Sequence, residues 1–336
     1  MNLGLALPLI LVGLTWKPPQ LTNPITIDLN SSPKIQRFVL DPNRDYLLRV
    51  GPDSKGFIVS NEIKIVGGRN IVLIGGHIKR AEGTRTNDPD TGVRDRSGGI
   101  VTLALIGQTG TTYVEGLLID NNNQFGADGL DPGGSDRGGP MQSGDFILQN
   151  VRIENVVGTA RATNGAAVEH ADAIQVQGGV RSLSLDHVTV SSSYQGFNFQ
   201  PEFQIGLVQA VHSNARYPDP DYHDGGANGY AFWLGDGADP NKNKPASYSF
   251  TDVYVQDRID KWGDPWIKDS IAPDVTMPGG AKPMPGDPPR AYWTNLAFPN
   301  QTVTGNVTEG LPPGGDFVTE SMIIDTATGD VIYRRQ

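Results

Sequence analysis

The sequence predicts an all-β solenoid, a right-handed parallel β-helix with a Pro/Gly-rich C-terminal cap. Three observations predict it. A two-part alternating phrase recurs along the chain, at intervals of roughly 22 residues where loops are shortest, and such self-similarity marks stacked repeats. The composition sets 42 Gly and 25 Pro against 19% charged residues, the balance of a turn-dense β protein. No heptads and no 3.6-residue periodicity compete with the alternation.

The elements follow in order. The opening stretch MNLGLALPLILVGLTWKPP is apolar but too short to span a bilayer, and it lacks the basic start and small-residue cleavage site of a signal peptide. Residues 1–57 are therefore expected to form an attachment or capping segment. Its apolar part should be buried against another chain or the cap, with no membrane insertion.

Residues 58–258 carry the phrase. One member reads IVLIGGHI (71–78), TYVEGLLI (112–119), FILQNVRI (146–153), LSLDHVTV (183–190), IGLVQAVH (205–212) and SFTDVYV (249–255). The interleaved member reads GGIVTLAL (98–105), ADGLDP (127–132), ADAIQVQ (171–177), QGFNFQ (195–200) and NGYAFWL (228–234). Strands that resemble each other in register should stack at about 4.8 Å, which a β-sandwich would not require. Leu130, Ile174, Phe197 and Tyr230 are expected to stack in one inner row, with Val176, Phe199 and Phe232 in a second.

Residues 259–336 lose the pattern to Pro and Gly and read as a cap or small appended β module. An open solenoid end must be covered, because unpaired strand edges invite aggregation. Trp262, Trp266, Tyr292 and Trp293 are the expected packing residues of the cover, and the end of the chain reads as a hairpin around a Thr-Gly-Asp turn.

Composition narrows the function. The chain has 336 residues, enough for a large core, and with no Cys it uses neither disulfides nor thiolate chemistry. Its formal net charge of -10 leaves no excess of Lys and Arg to neutralise phosphates, which argues against a nucleic-acid partner.

The second member of the phrase places polar residues outwards. Asp131, Gln175 and Asn198, then Gln177, Gln200 and Trp233, are expected to line a shallow groove, with Asp128, Asp172 and Gln195 at the turn entering it. Carboxylates, amides and flat aromatic faces are the groups that hold sugar hydroxyls and rings. The competing reading is an amide ladder in which these side chains satisfy each other.

If Asp128 and Asp172 lie in consecutive coils, about one strand spacing of 4.8 Å separates them, near the ~5 Å of a retaining glycosidase pair. Asp128, Asp131, Asp172 and His170 are the candidate catalytic groups; Gln175, Gln177, Asn198, Gln200 and Trp233 are the candidate substrate-binding groups. The same carboxylates suit a Ca²⁺ ion with Asp131 or His170, although no cofactor is required, or they cap turns. His77, His187 and His212 fall in the other strands, and a packed turn position is expected for His187. The loop YPDPDYHDGGANG (217–229), with His223, is a candidate rim or lid.

The segment DAIQVQGGVRSLSLDHVTVSSSYQGF (172–197) resembles a phrase of pectate lyases, which are parallel β-helices. The Arg-x-Pro-x-x-Arg motif that carries their base is missing, since RYPDPD at Arg216 has no second Arg, and the polygalacturonase motif set is missing too. A longer resemblance, over DYLLRV (45–50), GGRNIVLIGGHI (67–78), HADAIQ (170–175), YQGFNFQP (194–201), GYAFWL (229–234) and PPGGDFV (312–318), is to β-helix repeat proteins of actinobacteria and the minor tail proteins of their phages. It implies a virion tail component, homo-oligomeric with a trimer as one option, that meets other tail proteins and binds or depolymerises host cell-surface glycan. A secreted polysaccharide lyase or glycoside hydrolase is the alternative, and a purely structural tail role the third.

Overall fold

The structure, a computed structural model, describes residues 14–82, 99–136, 139–158, 171–199, 205–216, 232–234, 247–256, 292–293 and 302–333. Two long sheets run through it, and every strand pair in them is parallel. Sheet A orders Ile25–Leu29, Tyr46–Val50, Ile71–Arg80, Thr111–Asp120, Ser143–Val156, Val180–Ser192, Ile205–Arg216, Ser247–Val255 and Thr302–Glu309, with Phe57–Ser60 also paired to Ile71–Arg80. Sheet B orders Gln36–Leu40, Ile63–Gly67, Val101–Ile106, Asp128–Pro132, Asp172–Gln175, Gln195–Phe199, Phe232–Leu234 and Tyr292–Trp293. The chain alternates between the sheets, so each pass adds one strand to both, and the protein is a parallel β-helix. Among the described residues no helix is long and apolar enough to cross a membrane.

Alternation in each strand sends every second side chain inwards, and parallel register stacks like on like. In sheet A, Leu48, Leu73, Val114, Leu148, Leu185, Ala210 and Phe250 align from coil to coil, all buried. In sheet B, Ile63, Leu103, Leu130, Ile174, Phe197 and Phe232 align. Phe232 therefore holds the place expected for Tyr230, which lies outside the described residues. Among the described residues the paired coil strands run from Ile25 to Glu309. The first strands are short and half exposed, and so carry a weak apolar signal.

The long strands of sheet A bend at one aligned position. Gly75, Gly116, Asn150, His187, His212 and Asp252 all have left-handed φ, from 46° at His212 to 73° at Gly75. Gly, Asn, Asp and His are the residues that tolerate this region best. The bend gives each strand a second limb, where Ile78, Ile119, Ile153, Val190, Ala215 and Val255 form another buried row.

Two segments lie over the outside of sheet A. Near the N-terminus, Trp16 pairs with the Gln149 side chain (N to Oε1 2.8 Å, Nε2 to O 2.9 Å). Near the C-terminus, Val318, Ile323 and Ile324 pack on Leu118 with Val331 and Tyr333. Asp316 anchors that segment by accepting from Arg152 (3.0 Å), Arg216 (2.7 Å) and Asn214 (2.9 Å). Ile324 and Val331 form an antiparallel bridge around the Thr328–Gly329 turn, in keeping with the expected hairpin.

Gly116 is fixed by both its backbone and its neighbour: φ is +66°, and a Cβ there would stand 2.1 Å from the Tyr333 ring. Gly116→Ala is expected to cost at least the roughly 1–2 kcal/mol of a left-handed non-glycine residue and to displace Tyr333. Chemical denaturation reads the first effect, and faster proteolysis of the C-terminal segment reads the second.

Candidate functional site

The sequence-predicted face is the outside of sheet B. Lys64 aligns with Ala104, Ala104 with Asp131, Gln175 with Asn198, and Asn198 with Trp233; Ile174 opposite Leu130 puts Gln175 beside Asp131. One row thus reads Lys64, Ala104, Asp131, Gln175, Asn198, Trp233. Trp233 stands two positions from its expected place, in line with Asn198. His170 and Gln200 lie outside the described residues, as do His223 and the 217–229 loop.

Asp128 and Asp172 are in consecutive coils as expected, and the Asp172 backbone N–H donates to Asp128 Oδ1 at 2.7 Å. Asn198 Nδ2 donates to Asp172 Oδ2 at 2.7 Å. The Gln195 amide lies against the same carboxyl and accepts from Asn198 Nδ2 at 2.9 Å. Gln195 reaches it because its strand pairs Gln195 with Asp172 directly.

The expectation of an open groove is corrected here. Asp172 is fully buried, Asp128, Asp131 and Asn198 are nearly so, and Gln175 and Gln177 are the members that stay partly exposed. Alternation placed these side chains on the outer face, but being outside a sheet is not the same as meeting water. Val101, Ala104 and Ile106 form a separate buried apolar cluster beside them. Met141 packs against Gly107, and the Gly134 backbone presses on Asp131, where a Cβ would stand 1.8 Å from Oδ2.

Burial governs the electrostatics. It pushes Asp172 up to about 7, although hydrogen bonds from Asn198 and Gln175 pull the other way. It pushes Asp131 up to about 8, with Lys64 opposing and Glu62 and Asp172 adding to the rise. Asp128 rises well above the ordinary carboxylate range through burial and then through the Asp172 charge. Adjacent buried carboxyls of this kind share protons, since both ionised would repel in a low-dielectric setting. Asp131 Oδ1 and Asn198 Oδ1, on either side of Gln175 in the row, are buried without a hydrogen-bond partner. Such oxygens can accept a proton donor from a bound molecule. Lys64, the cation of the row, is held by Glu62 at 2.8 Å.

Comparison with known proteins finds no family model, curated protein or solved structure that matches the chain. The site is therefore read from its own chemistry.

These shifts set a pH dependence. An unfolded Asp titrates near 3.9, whereas these carboxyls titrate higher when folded, so between about pH 4 and 8 the folded state holds more protons and stability falls as pH rises. Asp186, Asp316 and Asp45 are shifted down and act oppositely, losing stability as pH falls below about 4. The expected result is a Tm maximum on the acid side of neutral. In Asp172→Asn, the fall in Tm from pH 5 to 8 should be smaller than in the parent.

Sequence reasoning missed a second polar group. The buried carboxylate Asp186 lies on sheet A with His187 and His212 around it, and His187 takes the packed bend position expected of it. The signal available was the left-handed position itself, filled by His in two successive coils.

Proposed function

We propose that the protein engages polysaccharide at the outer face of sheet B and cleaves it by hydrolysis. The carrying observation is the group of buried carboxyls, Asp128 and Asp172 in consecutive coils and linked through the Asp172 backbone N–H, beside the unpartnered Asp131 Oδ1. A carboxyl that keeps its proton near neutral pH is a general acid, and an ionised partner serves as base or nucleophile. Elimination, the lyase route, would need a cation at the substrate's acidic group, and Lys64 is already engaged by Glu62. Asp128, Asp131 and Asp172 are the groups assigned to proton transfer. Gln175, Gln177 and Asn198 position the sugar, with Trp233 in the same row, and calcium is not needed for this chemistry.

The biological setting is proposed on the resemblance of the repeated phrases: a phage minor tail protein that meets host cell-surface glycan, assembled as a homo-oligomer with other tail proteins. The complete burial of Asp172 favours one second reading, a structural coil in which carboxyl and amide groups satisfy each other. Incubation with cell-envelope polysaccharide, scored for new reducing ends and for unsaturated uronates, separates these readings. Reducing ends alone are expected. Unsaturated uronates would replace hydrolysis by elimination, and neither product together with no retention on the glycan would leave the structural reading.

A further inference from the structure

We propose that Asp186, His187 and His212 form a binding site for a first-row transition-metal dication of the zinc class, distinct from the carboxyl cluster on sheet B. The argument begins with register. Val188 pairs with Ser213 and Asp186 with Val211, so His187 and His212 occupy equivalent places in successive coils. Both take the left-handed bend that earlier coils fill with Gly75 and Gly116, at φ 52° and 46°. That backbone turns both imidazoles the same way, with ring centroids 4.5 Å apart.

Both rings present Nδ1 to the same oxygen. Asp186 Oδ1 lies 2.6 Å from His187 Nδ1 and 3.2 Å from His212 Nδ1, and the candidate ligand atoms all fall within 4.8 Å of one another. A tetrahedral ion with bonds of about 2.0–2.2 Å keeps its ligand atoms roughly 3.3 Å apart. The His212 contact already has that spacing, and the His187 contact needs to open by less than an ångström. As a hydrogen-bond acceptor Asp186 is already well supplied, since Oδ2 takes the Thr15 hydroxyl at 2.6 Å and the Thr15 backbone N–H at 3.1 Å.

The surroundings fit a metal site. His212 Nε2 lies 3.6 Å from Asp252 Oδ2, the place of an outer carboxylate that orients a ligating imidazole. Phe317 sets its ring edge-on to both imidazoles at 5.9 and 5.6 Å, which shields one side. The His212 side chain is 37% exposed and leaves a way in from solvent. Two imidazoles and one carboxylate select zinc-class ions over Ca²⁺ or Mg²⁺, which prefer all-oxygen ligands. On binding, both imidazoles offer Nδ1 lone pairs and carry their protons on Nε2, where His212 meets Asp252.

The test uses the full chain stripped of metal by chelator dialysis, titrated with Zn²⁺ by calorimetry and with Co²⁺ by visible absorption. One Zn²⁺ per chain is expected, with Co²⁺ bands characteristic of nitrogen and oxygen ligation and no comparable response to Ca²⁺. His187→Asn and His212→Asn should abolish binding; Asn suits the left-handed backbone, and circular dichroism checks the fold. Asp252→Asn should weaken binding by about 10-fold, as loss of an outer carboxylate does. If His187→Asn does not fold, the partly exposed His212→Asn variant decides alone. Absence of stoichiometric binding, or binding unchanged in the folded variants, overturns the proposal. Glycan cleavage enters none of these readouts, so the result is independent of the function assigned to sheet B.

Discussion

Asp172→Asn is expected to lower glycan hydrolysis by about 10² to 10⁴-fold while retention on the polysaccharide persists, the range for loss of a general acid or base. The substitution keeps shape and one accepting oxygen for Asn198 Nδ2, but an NH2 replaces the second oxygen and the carboxyl proton that burial favours is gone. Reducing-end release in single-turnover conditions measures the chemical step, and co-sedimentation with the polysaccharide measures binding. Because the same change should flatten the pH dependence of stability, a stable, glycan-binding, inactive variant isolates the proton-transfer role. Full activity in a folded Asp172→Asn protein would remove Asp172 from the mechanism.

Phe197→Ala carries the largest expected loss of stability. Phe197 is fully buried in the inner row of sheet B, paired with Ile174, and its ring centroid is 5.9 Å from that of Phe199. Truncating a buried Phe to Ala costs about 3–5 kcal/mol, because transfer energy is lost and the cavity collapses only in part. In a solenoid each coil contacts only its neighbours, so the damage falls on the coils bearing Asp172 and Phe232. Hydrogen exchange should show the strands at 172–175 and 195–199 losing protection before those at 46–50. Uniform loss along the chain would argue against coil-by-coil stacking.

The candidate site was legible in part. Asp128 and Asp172 could be assigned to consecutive coils because Leu130 and Ile174 mark the same inner position two residues later, and the structure pairs those residues. The place of Trp233 was missed by two positions. A period of two does not change under a slip of two, so alternation alone could not choose between Tyr230 and Phe232 as the residue above Phe197. A different slip hid the histidine pair: the phrase at 205 was read three residues out of step, which separated His212 from His187, whereas backbone pairing aligns Val208 with Leu183.

The sequence by itself determined that this chain builds parallel coils, since only like strands stacked in register can bury every second residue from Leu48 to Phe250 in continuous rows. It also determined which face of sheet B is polar. Tertiary structure decided how that polarity is housed. Whether Asp172 meets water depends on neighbours distant in the sequence, and that burial, not residue type, moves its proton affinity from an ordinary carboxylate value to about 7. Tertiary structure likewise brought Thr15, Asp186, His187, His212 and Phe317 to one place, through contacts spanning much of the chain that no local pattern records.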